Sequence, residues 1–185
     1  MAEIIWRFTR NEAACLLMVG DSADCEHAQP YSRLSVVHAC KSPCHQRSVG
    51  YRGSLPKTHP HYLFKEDGSN LYLNMIDPPV PLFMPETFLK GVWFIHRELH
   101  RGRDVLIHCN QGKSRSPSIA MLYLAAIEGL PNASWAHAVG AFQMHVYPQY
   151  LPGEGIMKFM DHRWYELLEE SRKIIEVQGR IFGDG

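Results

Sequence analysis

The sequence lacks any uninterrupted apolar run approaching the roughly 20 residues that a helix needs to span a bilayer. It also lacks net charge, because 19 Lys and Arg residues balance 19 Asp and Glu residues. A balanced charge gives no overall attraction to nucleic acid or to an anionic membrane surface. The first ten residues, MAEIIWRFTR, do not have the charged start and apolar middle of a secretory signal peptide. We therefore expect a cytoplasmic protein with no membrane association and no nucleic-acid partner.

Cysteine is scarce and scattered: the five cysteines are Cys15, Cys25, Cys40, Cys44 and Cys109. An odd, dispersed set in a chain of 185 residues argues against the disulfide framework of a small secreted protein. The sequence has no internal repeat, low-complexity tract or interdomain linker. We therefore expect a single domain over residues 1–185, with a sizeable core.

Short apolar runs alternate with helical patterns along the chain. The runs predict strands over residues 15–20, 35–40, 71–76 and 105–108. The helical patterns cover residues 85–102, 117–129, a segment carrying Trp135 with Asn132 as N-cap, and residues 156–175. Residues 41–69 have no regular pattern, and we expect them to border the binding cleft. This alternation predicts an α/β three-layer domain with a mainly parallel central sheet flanked by helices.

One stretch, residues 105–125, carries the clearest chemistry. It reads as a buried strand, a tight loop with glycine, and a helix, and the loop contains Cys109 followed six positions later by Arg115. Backbone N–H groups of such a loop can form an anion nest, and the positive end of the helix dipole points into it. Pro117 suits the first turn of the helix, where no N–H is needed. The stretch therefore predicts an anion site with Cys109 at its floor.

The electrostatics of this loop suggest a reaction. A thiol has an ordinary pKa of about 8.5, which helix N-termini and nearby cations can lower to roughly 3.5–7.5. We therefore expect Cys109 to be a thiolate at neutral pH. The Arg115 guanidinium offers a planar fork for two phosphoryl oxygens. Cys40, Asp77 and Cys109 all fall at the carboxyl ends of predicted strands, so they should share the sheet edge where ligands of such folds bind. The residues needed for attack on a phosphate monoester are present.

Residues 108–116, HCNQGKSRS, resemble the H-C-x-x-G-x-x-R-[S/T] signature of cysteine-dependent protein tyrosine phosphatases. The ending S-R-S-P is most similar to the dual-specificity branch of that superfamily. Asp77 lies upstream of Cys109 at the separation usual for the general acid of that branch. Tyr147-Pro148 and Gly155-Ile156 stand where the branch usually has Arg-Pro and Gly-Phe. The resemblance extends more weakly over most of residues 15–170.

The resemblance implies a two-step mechanism without metal or cofactor. Cys109 would attack phosphorus and form a phosphocysteine, Asp77 would act as general acid and then general base, and Ser116 would assist departure of the thiolate. His108 would fix the loop. The phosphate would be bound by Arg115 and by the backbone of Asn110, Gln111, Gly112, Lys113 and Ser114.

The resemblance implies a phosphorylated protein as partner, with phosphotyrosine as the first candidate and phosphoserine or phosphothreonine next. Three alternatives stay open: an RNA 5′-triphosphate or a phosphoinositide as substrate, and a pseudoenzyme that only binds phosphate. A rhodanese-like sulfurtransferase is a fourth, although the loop has the wrong length and neighbours for it.

Several of these residues also have ordinary structural interpretations. Asp77 could simply form a turn before Pro78, with Asp67 and Asp104 as rival acids. Ser116 could be a helix-start residue, and Lys113 a solvated side chain.

Two further hypotheses concern the remaining cysteines and histidines. Cys40 is a possible redox partner that would protect Cys109 from over-oxidation, or else a buried strand cysteine. A zinc site is an alternative use for the cluster of His38, Cys40, Cys44 and His45, with His59 and His61 nearby, but no clean C-x2-C or H-x3–5-H pair supports it. We expect no metal.

Overall fold

The central element is a six-stranded sheet. The computed structural model describes residues 1–10, 13–27 and 33–182 of the chain. The strands are β1 (Glu3–Arg10), β2 (Ala13–Gly20), β3 (Leu34–His38), β4 (Phe64–Asp67), β5 (Asn70–Leu73) and β6 (Asp104–His108). The helices are α1 (Ser22–His27), α2 (Gln46–Val49), α3 (Pro85–His100), α4 (Arg115–Ala126), α5 (Trp135–His145) and α6 (Glu154–Phe182).

The strand order is β1-β2-β6-β3-β5-β4. The four inner strands run parallel to one another, whereas β1 and β4 pair antiparallel with β2 and β5 at the two edges. The predicted α/β fold with a mainly parallel sheet flanked by helices is therefore confirmed, with antiparallel hairpins added at both edges.

The two faces of the sheet are covered unequally. Ile107 of β6 lies opposite Val19 and Val37, and all three are fully buried in the main core on the side of α3, α4 and α6. The other face carries a much smaller cluster of Leu34, Val36 and Leu106. Because side chains alternate along a strand, His38 and His108 belong to this second face. None of the residues of α1, which lies on that side, is buried.

Two strands were missed by the sequence reasoning. The pairing of β1 with β2 shifts register between Ile4 and Trp6, which interrupts the period-2 pattern that marks a half-buried strand. Strand β4 has the sequence FKED, is only four residues long and has no fully buried residue. Neither segment therefore carries a clear apolar alternation.

Other boundaries also differ from the predicted ones. Asn132 is not the N-cap of α5, because the Ser134 hydroxyl accepts the His137 N–H at 3.3 Å. Helix α4 begins at Arg115, and α6 extends from Glu154 to Phe182. Residues 41–69, expected to be irregular, contain a helical turn over Lys41–His45, then α2 and β4.

No helix in the described parts of the chain is long and apolar enough to cross a membrane.

A buried charge holds the start of β6 to α3. Glu98 of α3 is 2% exposed and accepts hydrogen bonds from the Ser35 hydroxyl at 2.7 Å and from Arg97 Nε at 2.8 Å. Arg103 Nε lies 3.2 Å from Glu98 Oε2, the oxygen that Ser35 also contacts. The Arg103 guanidinium also donates to the Leu34 carbonyl at 2.7 Å. The carboxylate is therefore paired on both oxygens, as a buried charge requires.

We predict that Glu98→Ala lowers the free energy of unfolding by about 3 kcal/mol, because it leaves buried donors and cations without their acceptor. Urea denaturation monitored by circular dichroism measures the change. The matched control is Glu166→Ala, whose ion pair with Arg163 is exposed on both sides, and which should cost less than about 1 kcal/mol. Equal losses for the two variants would contradict a stabilising role for the Glu98 network.

Candidate active site

The loop between β6 and α4 places Cys109 under the start of a helix. Strand β6 ends at His108 and α4 begins at Arg115, so residues 109–114 make the whole turn. Cys109 is 2% exposed, and the Ser116 hydroxyl donates to its Sγ atom at 3.2 Å. The sulfur therefore lies at the floor of the loop, facing the first turn of α4.

The surroundings of Cys109 favour its ionised form. Burial alone raises the pKa of this thiol, because it disfavours a charge. The hydrogen bonds from the hydroxyl and backbone N–H of Ser116, the positive charge of Arg115 and the N–H of Gln111 outweigh burial, and the pKa is lowered from its ordinary value. This direction agrees with the prediction of a thiolate nucleophile.

Two of the three nitrogens of the Arg115 guanidinium have hydrogen-bond partners among the described residues, and the third has none. Its Nη1 donates to the Met75 carbonyl at 3.0 Å, and its Nη2 donates to Asn110 Oδ1 at 2.7 Å. Its Nε is buried and has no hydrogen-bond partner among the described residues, and Asp77 Oδ2 lies 3.9 Å away. A buried N–H without an acceptor is costly. An oxyanion bound in the adjoining cleft would supply that acceptor.

The far side of the loop is clamped by the segment between α5 and α6. The Tyr147 hydroxyl donates to the Gly112 carbonyl at 3.1 Å, and the Leu151 N–H donates to the Lys113 carbonyl at 2.8 Å. Gly112 has φ +70°, and a Cβ there would lie 3.0 Å from the Gly20 carbonyl oxygen. The loop can therefore close against the end of β2 only with glycine at this position.

Asp77 reaches the cleft on a loop that rests on the start of α6. An ideal Cβ at Gly153 would lie 2.5 Å from Asp77 Oδ1, and one at Gly155 would lie 2.2 Å from the Pro78 carbonyl oxygen. Because neither glycine has a side chain, the Asp77 loop can lie directly against the start of α6. A cavity of about 450 Å³ results, lined by Asp77, Pro78, Pro79, Asn110, Gln111, Arg115, Gly153 and Glu154.

The structure brings most of the predicted site residues together. Asp77 and Arg115 line one cleft beyond the carboxyl edge of the sheet, and the hydrogen-bonded pair of Cys109 and Ser116 is buried next to Arg115, outside the lining of that cleft. The rival Asp104 accepts the Leu16 N–H at 2.9 Å at the opposite end of β6. Asp67, the other rival, pairs with Asn70 at the tip of the β4–β5 hairpin.

The side chains of residues 110–114, predicted to bind phosphate, have different surroundings. Asn110 and Gln111 line the cleft, whereas the Lys113 side chain is exposed and outside the lining. The Ser114 hydroxyl accepts the Gly153 N–H at 2.9 Å and thus joins the loop to the Asp77 support. Phosphate binding by the N–H groups of residues 110–115 stays a prediction.

Sequence reasoning missed the groups that hold the loop from a distance. The Met75 carbonyl and the Tyr147 hydroxyl act through contacts separated by 40 and 35 residues from the groups they bind. No local pattern signals such contacts. Gly153 was not singled out, although the glycines on both sides of Glu154 were a usable signal of close backbone approach.

His108 is buried directly before the loop and contacts a histidine and a cysteine, and its role in fixing the loop stays a prediction. Its Nε2 lies 2.8 Å from His38 Nδ1 and 3.8 Å from Cys44 Sγ. His45, part of the zinc hypothesis, is instead bonded to the Tyr51 hydroxyl and the His61 carbonyl, both at 2.9 Å. The hypothetical cluster is therefore wrong as composed, because His45 points away from it.

Cys40 is buried at 1% exposure and lies two residues beyond the end of β3. A hydrogen bond with the Cys44 thiol lowers the pKa of Cys40. Its pairing with Cys109 as a redox partner stays a prediction.

No protein-family model matches this sequence, and no curated protein matches it. Solved structures do share the fold. DUSP15 has a TM-score of 0.60 at 19% identity, over 86% of this chain and 90% of DUSP15. PTPMT1 in complex with PI(5)P has a TM-score of 0.55 at 14% identity, over 84% and 94% of the two chains. The PTP-2 phosphatase of Cydia pomonella has a TM-score of 0.54 at 16% identity, over 86% and 91%. The chain therefore has the fold that the resemblance to the dual-specificity branch implied.

We predict that Ser116→Ala raises the pKa of Cys109, because the hydroxyl hydrogen bond that opposes the effect of burial is lost. The pH profile of Cys109 alkylation by iodoacetamide should then shift to higher pH. The matched control is Ser171→Ala, since the Ser171 hydroxyl is buried in α6 without a hydrogen-bond partner among the described residues. An unchanged profile for Ser116→Ala would contradict the assigned role of this hydroxyl.

Proposed function

We propose that this chain is a phosphate monoester hydrolase that acts through a phosphocysteine intermediate. The observation that carries the proposal is a group of three neighbouring side chains: a buried thiol with a lowered pKa, a guanidinium whose charge contributes to that lowering and whose Nε–H has no partner among the described residues, and a carboxylate 3.9 Å from that guanidinium. A thiolate, a fixed cation and an acid are the three groups that this chemistry requires.

In the first step the Cys109 thiolate attacks phosphorus, and the bond from phosphorus to the ester oxygen breaks. Arg115 and the N–H groups of the loop stabilise the charge on the equatorial oxygens, usually the largest contribution to catalysis. Asp77, in its protonated form, donates its proton to the leaving oxygen. The products are an alcohol or phenol, a phosphocysteine and an Asp77 carboxylate.

In the second step a water molecule attacks the phosphocysteine. Asp77 takes a proton from the water, and the phosphorus–sulfur bond breaks as inorganic phosphate forms. The Ser116 hydroxyl, 3.2 Å from Sγ, donates to the departing thiolate and makes it a better leaving group. His108, buried directly before the nucleophile, holds the loop in place throughout.

We propose a phosphorylated protein as substrate, with phosphotyrosine first and phosphoserine or phosphothreonine next. Arg115 is the one cationic side chain among the described residues that line the cavity, and Asp77 and Glu154 contribute two carboxylates. This balance suits a single phosphate group. A 5′-triphosphate or a phosphoinositide carries several negative charges and would be repelled by Glu154.

A phosphoinositide is the rival substrate to test directly, since PTPMT1, which shares the fold, was solved in complex with PI(5)P. A phosphate-binding pseudoenzyme is the rival from another class. The lowered pKa of Cys109 argues against it, because binding alone does not need an ionised nucleophile.

We predict that Cys109→Ser abolishes hydrolysis of p-nitrophenyl phosphate, because a serine hydroxyl at this position stays protonated. Asp77→Asn should reduce kcat by about 10²–10⁴-fold on a phosphotyrosine peptide. Its effect on p-nitrophenyl phosphate should be smaller, because nitrophenolate leaves readily without a proton. Steady-state kinetics on the two substrates measure this difference.

Asp67→Asn is the control for that experiment, since this residue lies on the β4–β5 hairpin away from the cleft. Its kinetics should match those of the wild type. Turnover by Cys109→Ser at the wild-type rate would end the proposal. Equal losses for Asp77→Asn on both substrates would remove Asp77 from the role of proton donor.

We further predict that kcat/KM is highest on a phosphotyrosine peptide when peptides, an RNA 5′-triphosphate and phosphoinositide vesicles are compared. Glu154→Gln should raise activity on the multiply charged substrates more than on the peptide, because it removes a repelling charge. Glu166→Gln, distant on α6, should leave all ratios unchanged. A preference of the wild type for phosphoinositide would overturn the protein-substrate assignment and leave the hydrolytic chemistry intact.

A further inference from the structure

Four metal-binding side chains converge behind the Cys109 loop. The Sγ atoms of Cys25 and Cys44 and one ring nitrogen each of His38 and His108 all lie within 4.8 Å of one another. Cys25 Sγ is 3.5 Å from His38 Nδ1, and Cys44 Sγ is 3.8 Å from His108 Nε2. None of these four residues has a substrate-contacting role in the proposed reaction, and Cys109 Sγ is bonded elsewhere, to Ser116.

The fold itself builds this cluster. His38 and His108 are directly paired residues at the ends of the parallel strands β3 and β6, so their side chains stand side by side on the same face. Helix α1 brings Cys25 over that face, and the turn over Lys41–His45 brings Cys44. Four separate segments of the chain thus meet at one point.

The hydrogen bonds of the two imidazoles direct lone pairs into the cluster. His38 Nε2 lies 3.0 Å from Asn70 Oδ1, and His108 Nδ1 lies 3.4 Å from the Cys109 carbonyl oxygen. With the N–H groups on these outer nitrogens, both inner nitrogens are acceptors, which is the pair of tautomers that a metal ion requires. The inner nitrogens face each other at 2.8 Å. In this pair of tautomers two lone pairs and two sulfur atoms point to one place, where a cation would be stabilised.

We propose that Cys25, His38, Cys44 and His108 bind one zinc-class divalent ion in a tetrahedral Cys2His2 site. Typical Zn–S and Zn–N bonds of about 2.3 and 2.0–2.1 Å imply sulfur–nitrogen separations of about 3.5–3.6 Å in a tetrahedron. The sulfur–nitrogen distances of the pairs Cys25–His38 and Cys44–His108, 3.5 and 3.8 Å, lie close to this value. The nitrogen–nitrogen separation needs to widen from 2.8 Å to about 3.3 Å when the ion binds.

The ion has a structural role. All four ligands come from the protein, which leaves no open position for substrate, as in structural zinc sites. Helix α1 has no buried residue and is attached to the Cys109 loop by Ser22, whose N–H and hydroxyl contact the Asn110 carbonyl at 3.5 and 3.2 Å. Since α1 buries no apolar side chain against the sheet, Cys25 as a metal ligand would attach this helix to the sheet. The same ion would link α1 to His108, the residue that precedes Cys109.

The test is metal binding by the full-length, reduced protein. Cobalt(II) replaces zinc and shows tetrahedral thiolate ligation by a charge-transfer band and intense ligand-field bands. We expect the wild type to bind one equivalent with these bands, and zinc to displace it and raise Tm. Cys25→Ser and Cys44→Ser should each weaken cobalt binding by about 100-fold or more, since loss of even an outer-shell partner costs 10–100-fold.

Two variants serve as controls, and none of these readouts depends on activity. Cys15→Ala removes a buried cysteine of β2 outside the cluster and should leave the cobalt bands unchanged. Cys109→Ser should also retain them. Bands that survive in the Cys25→Ser, Cys44→Ser double variant, or that disappear in Cys109→Ser, would overturn the proposal. So would a reduced wild-type protein that binds no more cobalt than the double variant, because a shared proton would then hold the two imidazoles together.

Discussion

Stabilising the buried sulfur of Cys109 as its pKa falls is the constraint around which this molecule is arranged. A buried charge is costly unless donors and opposite charge surround it. Cys109 has both, from Ser116 and Arg115. Arg115 is buried as well, so it needs acceptors of its own, and these come from the Met75 carbonyl and Asn110. Asn110 is in turn fixed by donating to the Ser42 carbonyl at 3.1 Å. Each of these groups therefore depends on the next one for its hydrogen bond. Together they link the segments that follow β3, β5 and β6.

The same dependence explains what the sequence could and could not predict. The inner strands are continuous apolar runs, and the Cys109 loop carries its chemistry within nine consecutive residues, so both were readable locally. Asp77 was found by its place after a strand. Tyr147 and the Met75 carbonyl were not, because their roles arise from contacts between segments distant in sequence. Strand β1 was not predicted, because its register shift disturbs the apolar–polar alternation by which a strand is identified.

The unequal covering of the sheet gives the two faces different physical characters. On one side, α3, α4 and α6 bury a large apolar core, in which Trp164, Phe88 and Tyr123 are almost fully enclosed. On the other side, three aliphatic residues form the described apolar cluster, and polar side chains take over toward the strand ends. Stability on the first face comes from apolar area. On the second face it depends on directional bonds, which hold only when every partner is in place.

The two glycines at the start of α6, Gly153 and Gly155, determine where the Asp77 loop can lie. Cys109 is built into a turn that many hydrogen bonds hold, whereas the Asp77 loop packs closely on two glycines, with the Asp77 carboxylate against Gly153 and the Pro78 carbonyl against Gly155. Any larger residue at either position forces the Asp77 loop or the start of α6 to shift. The place of this carboxylate can therefore be lost by a substitution at a residue that has no functional group of its own, so changes at residues 153 and 155 bear on the cleft as directly as a change at Asp77.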